Sequence, residues 1–271
     1  MKKYALIVVM FCISMSLIAQ RTINESFSMN KNQALHLTFN YADVSVQMVD
    51  GNTLSIEGAV VINNGENDDA FKIKQSKKNG KQLIETYIKD IDKLPQIVTI
   101  KKGGQVYYFK KEKNERDLMK KIKKEIGDGG FDMYSAGVQN EIKLIVKVPK
   151  EMKVSVESLY GDLVLQDLSG NTKVVSTYGD IEAQIASNAK LNDIRLHSIY
   201  GFVDLALAQN TKANLDLESG YGQIFTDLDI SVDTEKSKEK AFASHIIGDV
   251  NGGGPRLQLK ADYDNIYLRG K

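Results

Sequence analysis

The sequence predicts an all-β fold, with a single-stranded β-helix or β-solenoid over its C-terminal half and an N-terminal β region ahead of it. Three observations predict it: a recurring aromatic-glycine-acid triplet, period-two alternation of apolar and polar residues on both sides of that triplet, and a repeat length close to one solenoid turn. The triplets are Tyr160-Gly161-Asp162, Tyr178-Gly179-Asp180, Tyr200-Gly201-Phe202 and Tyr221-Gly222-Gln223, with glycine spacings of 18, 22 and 21 residues. Weaker copies follow at Ile247-Gly248-Asp249 and Tyr263-Asp264-Asn265.

Around the triplets, Val154, Val156 and Ser158 precede the first, and Leu163 and Leu165 follow it. Ile194, Leu196 and Ser198 precede the third, and Val203, Leu205 and Leu207 follow it. Such alternation turns one side of a strand to a core and the other to water. A tight corner between two short strands calls for a residue that tolerates positive φ, which is the reason to expect glycine at each bend. The Asp after it has a short carboxylate able to accept backbone N–H groups, and the Tyr before it has a ring able to stack on its equivalent one turn away. Tyr160, Tyr178, Tyr200 and Tyr221 are thus expected as a corner ladder, with Gly161, Gly179, Gly201, Gly222 and Gly248 at the bends and Asp162, Asp180 and Asp249 beside them. Stacked turns lie about 4.8 Å apart, and one turn cannot bury its own apolar face, so such a stack must be cooperative and capped.

Ahead of this repeat, the chain opens with Lys2 and Lys3, runs through an apolar stretch from Ala5 to Ile18 and reaches Ala19 before Gln20 and Arg21. That is the pattern of a signal peptide over residues 1–19, which implies export to the periplasm, the cell surface or beyond. The single cysteine, Cys12, lies inside the apolar run after the bulky Phe11, so a chain cut after Ala19 has neither a disulfide nor a thiolate metal site. Formal charge is +1. Residues 20–150 carry 22 basic against 17 acidic side chains, a net of +5, and residues 151–271 carry 12 against 18, a net of −6. Near-neutrality, together with export, argues against a nucleic-acid partner.

The expected divisions after the leader are an N-terminal β region with a basic insertion, residues 20–140, and the solenoid repeat, residues 141–271. In the first, His36 to Val46 looks like a degenerate copy of the repeat with Tyr41-Ala42-Asp43 at its corner. Phe71 to Ser76 and Gln82 to Ile88 read as a hairpin joined through Asn79-Gly80. Tyr107 to Phe109 reads as the end of another strand. From Arg116 to Ile126, Leu118, Ile122 and Ile126 recur at a spacing of four, which predicts a short helix stopped by Gly127-Asp-Gly-Gly130. In the second division, Asp233 to Lys240 reads as a polar loop bulging from one turn, and Gly252-Gly253-Gly254-Pro255 as a loop before the last strands, Leu257 to Leu259 and Ile266 to Leu268.

A strand ending in Val-Pro (Ile142 to Lys150), recurring strand-Gly-Asp-strand units and a closing Gly-Pro-Arg-Leu-Gln-Leu stretch together resemble a family of exported bacterial β-strand-repeat proteins. That family is of unknown function and carries the label "putative adhesin". The resemblance covers Glu141 to Lys271 and, more weakly, Thr22 to Val46; residues 63–137 depart from it and look like an insertion. It implies a β-helix-like fold outside the cytoplasm and adhesion as the function, with no catalytic residues attached to the motif.

The residues themselves point the same way. His36, His197 and His245 are the only histidines, and none has a second histidine or a cysteine at metal-ligand spacing, so no metal site and no cofactor are expected. His197 and Ser198 are adjacent, but neighbours in a strand point to opposite faces. Neither a phosphate-binding loop nor a nucleophile elbow occurs. The enzyme alternative is a polysaccharide-cleaving solenoid with Asp162, Asp180 and Asp249 in line along one edge for acid–base work or calcium. Against it, all three occupy a corner position where a turn-forming Asp is expected whatever the function. The lysines from Lys110 to Lys124 are interspersed with Glu112, Glu115, Asp117 and Glu125, the pattern of a solvated face rather than a polyanion site. The expectation is a non-enzymatic interaction module, with a surface glycan or an envelope protein as partner and no span of the membrane after signal cleavage. A structural envelope protein is the alternative from a different class.

Overall fold

In the computed structural model, which describes residues 20–271, the strands with alternating apolar residues come in pairs. The expected leader and Cys12 lie outside the described residues. Each pair makes a rung: one strand in a first sheet, a corner, and a second strand in a facing sheet. In chain order the rungs are Leu35–Tyr41 with Asp43–Val49 (rung 1), Val154–Tyr160 with Leu163–Leu168 (rung 2), Gly170–Ser176 with Ile181–Ile185 (rung 3), Leu191–Ser198 with Val203–Leu207 (rung 4), Ala213–Ser219 with Ile224–Thr226 (rung 5) and Arg256–Ala261 with Ile266–Gly270 (rung 6).

The rungs stack in parallel and in register. Leu37, Val156, Val174, Leu196, Leu259 and Leu217 lie side by side across the first sheet. Val46, Leu165, Ala183, Leu205 and Leu268 do so across the second. All are buried, and the two rows face each other across one continuous core. A register slip of one residue would turn every one of these side chains to water, so the alternating pattern fixes the stack.

The all-β class holds, but a single uninterrupted solenoid does not. The strands form sheets of nine, eleven and three members, and the rungs stack in the spatial order 1-2-3-4-6-5. After rung 5 the chain makes an excursion in which Ser244–Val250 runs back antiparallel to Ala213–Ser219, and rung 6 then enters the space between rungs 4 and 5. The polar loop expected from Asp233 to Lys240 belongs to this excursion, where Ser231–Val232 and Lys238–Glu239 also pair with Ser244–Val250.

The parallel stack is closed by antiparallel strands at its opposite end too. Asn140–Pro149 lies parallel to Asp43–Val49 and antiparallel to Thr53–Ile62, which pairs in turn with Arg21–Ser28. Lys81–Ile88 extends the first sheet beside rung 1, and Phe71–Lys78 forms its edge through a hairpin with Asn79 (φ 50°) and Gly80 (φ 72°) at the turn. Lys72, Lys74, Lys77 and Lys78 on that edge strand discourage pairing with another chain. Residues on either side of position 140 thus share both large sheets and one core.

The insertion builds a small layer of its own. Ile97–Lys102 pairs with Gln105–Lys110 and Met133–Gly137, and the helix Glu115–Ile126 covers one face, where Leu118 and Ile122 meet Val98 and Ile100. Asn114 caps the helix by accepting from the Arg116 N–H, and Gly127 (φ 75°) ends it.

Candidate functional site

The triplet corners line up along one edge of the stack. Tyr41, Tyr160, Tyr178, Tyr200, Tyr263 and Tyr221 form a column of near-parallel rings, with centroid separations of 5.5, 5.0, 5.0, 5.0 and 5.3 Å in that order. Phe242, brought in by the excursion, extends the column 6.4 Å beyond Tyr221. Tyr200 and Tyr221 are therefore separated by Tyr263, as the rung order requires. Tyr178, Tyr200 and Tyr263 are each about half exposed (53%, 51% and 54%). Ring faces are covered by their neighbours, so ring edges and hydroxyls form the surface.

Close stacking, more than backbone sign, explains the glycines. Only Gly161 has φ in the left-handed region, at 107°; Gly179, Gly201 and Gly222 do not, which corrects the expectation that each bend needs positive φ. A Cβ on Gly161 would overlap the carbonyl oxygen of Ala42, on Gly179 that of Gly161, and on Gly222 that of Asp264; on Gly201 it would lie 2.5 Å from both the Gly179 carbonyl and the Asp180 carboxylate. Each glycine lets its corner settle onto the preceding rung. Ala42, in the first rung, takes the position on whose carbonyl Gly161 rests.

A buried serine three residues before each glycine completes the corner, and sequence reasoning missed its role. Ser176, Ser198 and Ser219 accept the N–H of Gly179, Gly201 and Gly222 at 3.0–3.1 Å. Ser198 also donates to the Gly179 carbonyl of the preceding rung (2.9 Å), and Ser219 to that of Asp264 (3.2 Å). Ser158 donates to Gly161 within its own rung (3.2 Å). The signal was present as Ser-x-Tyr-Gly in all four strong copies.

The acids form a second column beside the rings. Asp43 Oδ1 accepts the Asp162 N–H (3.1 Å), Asp162 Oδ1 the Asp180 N–H (2.9 Å), and Asp180 Oδ1 the Phe202 N–H (3.0 Å). Phe202 offers no acceptor to the rung stacked on it, so Asn265 N–H turns to Asp264 Oδ1 (2.7 Å), and Asn265 Oδ1 then receives the Gln223 N–H (2.8 Å). Burial raises the Asp180 carboxyl above the usual aspartate value, the Phe202 N–H opposes that, and the neighbouring Asp162 and Asp264 charges add to it.

Gly248 and Asp249 do not belong to this edge. They lie within the antiparallel strand Ser244–Val250, where a Cβ on Gly248 would come within 2.6 Å of the Ser231 carbonyl. That glycine serves close pairing with Ser231–Val232 instead of a bend, and Asp249 accepts from Gly252 N–H in the loop beyond (3.1 Å).

On the outer face of the first sheet each histidine contacts a carboxylate on a neighbouring strand or at its end: His36 with Glu157 (3.7 Å), His197 with Asp262 (2.9 Å) and His245 with Asp216 (2.9 Å). His197 is outward while Ser198 is buried, so the two do not meet as a base and nucleophile. Burial would raise the Asp216 carboxyl, but hydrogen bonds from His245 and Arg256 (2.7 Å) outweigh it and hold the group below the usual range. Among the described residues, no cluster of three or more His, Cys, Asp or Glu is arranged to hold a metal ion. No described helix is long and apolar enough to cross a membrane. In the insertion, Lys110 pairs with Glu66, Lys120 with Asp117, Lys121 with Glu112 and Lys123 with Asp128.

Residues 149–249 match the model of a family described as Toastrack DUF4097, in agreement with the resemblance read from the repeat. No curated protein matches the chain. Among solved structures, a "putative cell adhesion protein" from Clostridium sporogenes superposes with a TM-score of 0.54 at 12% identity, covering 93% of this chain and all of that one (100%). At that identity the likeness is one of fold. A "putative adhesin" from Bacteroides fragilis (TM-score 0.30, 13% identity, 92% of this chain and 97% of that one) and a "putative lipid binding protein" from Parabacteroides distasonis (0.28, 11%, 90% and 96%) are more distant, and neither bears on the fold.

Proposed function

We propose that this chain, with its Toastrack-like segment at residues 149–249, acts outside the cytoplasm as a non-catalytic interaction module of adhesin type. The wound parallel ribbon serves as a rigid rack, and its partner is a surface glycan or an envelope protein. The observation that carries this reading is the exposed aromatic column beside a column of carboxylates. Half-exposed rings on five consecutive rungs present on the order of 500 Å² of aromatic surface, at the upper end for a patch on a monomer and characteristic of interaction sites. Because the ring faces are covered, contact runs through ring edges, phenol hydroxyls and the flanking acids, which suits a partner with hydrogen-bonding or cationic groups. Asp162 and Asp180 each hold a backbone N–H of the next rung, a corner-forming role that supports a non-catalytic reading.

The intramolecular stacking of those same rings favours a second reading, a structural envelope protein with no dedicated partner. The test is capture from an envelope fraction and a glycan array with the mature chain, alongside a Tyr178→Ser/Tyr200→Ser variant whose fold is checked by circular dichroism. Partner capture that disappears in a folded variant supports the interaction module. Absence of any partner, with a large loss of stability in the variant, supports the structural reading and overturns ours. Fractionation of cells expressing the full chain tests the compartment, and recovery in the cytoplasm would contradict it.

A further inference from the structure

The opposite edge of the stack carries a cleft whose origin is written in the repeat spacing. Rung 2 passes to rung 3 through Ser169 alone, whereas the next passage, from Ile185 to Leu191, takes five residues, 186–190. The first glycine spacing, 18 residues, is four shorter than the second, 22, and the difference is this corner. Asp167 (φ 58°) and Gly170 (φ 65°) make so short a turn possible. Flanked by the longer turns at 150–153 and 186–190, the short one leaves a recess of about 780 Å³. That volume lies within the ~300–1,000 Å³ range of small-ligand sites.

The recess is lined mostly by residues with polar side chains and is incompletely satisfied. Three buried side-chain atoms among the described residues lack a hydrogen-bond partner, and two of them, Gln33 Oε1 and Ser169 Oγ, belong to residues that line it. Buried polar atoms without partners are rare in folded proteins and call for an explanation such as a bound water, ion or ligand. Asn171, Asn188 and Asn192 add side-chain amides. Of the lysines there, Lys31 is paired with Glu151 (2.6 Å) and Lys150 with Asp50 (3.4 Å), while Lys153 and Lys190 have no ion-pair partner among the described residues. No aromatic ring lines the recess, so recognition must be by hydrogen bonds and charge.

We propose that this recess binds a saccharide unit bearing a carboxylate. Gln33 Oε1 and Ser169 Oγ are closed off from solvent, so a ligand engages them only once those side chains turn into the recess, where Gln33 Oε1 accepts; the asparagine amides donate and accept, and a hydroxyl-dense ligand supplies both. Of the charged groups there without an ion-pair partner among the described residues, Lys153 and Lys190 outnumber Asp167, which leaves one positive charge to favour one anionic group on the ligand. The site is separate from the aromatic column and goes beyond the adhesin reading, since it gives this edge a small ligand of its own.

Titration calorimetry with the mature chain, using uronate-containing oligosaccharides and their neutral hexose counterparts, tests the proposal. Binding of the uronate series is expected, weakened about tenfold by Lys190→Gln and by Gln33→Leu. Gln33→Leu should meanwhile leave the melting temperature unchanged or raised, because it removes an unsatisfied buried acceptor; a merely structural role would lower it. Tyr178→Ser/Tyr200→Ser should leave this binding intact, which separates it from the aromatic edge. No binding by either series, or binding indifferent to Lys190→Gln and Gln33→Leu, overturns the proposal. Equal affinity for the neutral sugars overturns the carboxylate requirement.

Discussion

Two edges of the same ribbon obey different rules. At the tyrosine edge the corners rest on one another: Gly161, Gly179, Gly201 and Gly222 have no room for a Cβ, Ser198 and Ser219 bridge two rungs, and Asp43, Asp162 and Asp180 receive the next N–H. At the opposite edge the connections vary from the single residue Ser169, through the five residues 186–190, to the long passages 50–153 and 227–255, and two polar atoms are left without partners. The crowded edge is the one that repeats in sequence, because each rung imposes its geometry on the next. The roomy edge is free to vary, and there a recess has formed. Repetition marks where packing is under constraint.

Glycine substitutions should separate the edges most strongly. Gly179→Val, whose Cβ would enter the Gly161 carbonyl, should cost about 3 kcal/mol or more in denaturant unfolding. Gly170→Ala at the opposite edge has its nearest contact at 3.7 Å and should cost only about 1 kcal/mol, the penalty of a left-handed backbone. Equal costs would erase the distinction. The serines come next. Ser198→Ala strands the Gly201 N–H and the Gly179 carbonyl and should cost about 2 kcal/mol, whereas Ser169→Ala removes a hydroxyl with no partner and should be neutral or stabilising.

Charge effects are smaller and carry a sign. Asp216 ties the strand Ala213–Ser219 to His245 and Arg256, and its carboxyl is depressed in the fold because those two groups outweigh burial. A depressed acid contributes stability that is present above its unfolded value, near 3.8, and lost as pH falls through the folded one. Asp216→Asn should therefore cost about 1 kcal/mol at neutral pH and flatten the acid limb of a stability–pH curve below about pH 4. Asp180 runs the other way: burial raises it, so the native state holds its proton more readily than the unfolded chain, and ionisation at neutral pH opposes folding. Asp180→Asn keeps the acceptor for Phe202 N–H, and thermal unfolding at pH 7 should show stability within about 0.5 kcal/mol of the parent or slightly higher.

Much of the rung structure was legible because alternation, triplet and spacing all report local geometry. The hairpin at Asn79-Gly80 and the helix around Leu118 and Ile122 were legible for the same reason. The rung order was not. Consecutive units usually stack next to each other, so Tyr221 was expected beside Tyr200; nothing local in Tyr263-Asp264-Asn265 says that it slips between them. The 26-residue gap from Gly222 to Gly248 was the available hint, since an insertion needs an excursion to make room. Gly248 misled because a glycine relieving a close contact between paired strands looks in sequence like one relieving a bend. The small sheet over the helix escaped because only Tyr107 to Phe109 stood out as strand-like there, and the unpaired atoms of Gln33 and Ser169 have no sequence signature.

The interleaved column can be read chemically. Photo-oxidation of the folded chain links neighbouring tyrosines as dityrosine, and peptide mass mapping identifies each pair. Links between Tyr178 and Tyr200, Tyr200 and Tyr263, and Tyr263 and Tyr221 are expected from centroid separations of 5.0, 5.0 and 5.3 Å. A dominant Tyr200 to Tyr221 link, with Tyr263 unlinked to either, would contradict the stacking order on which both edges depend.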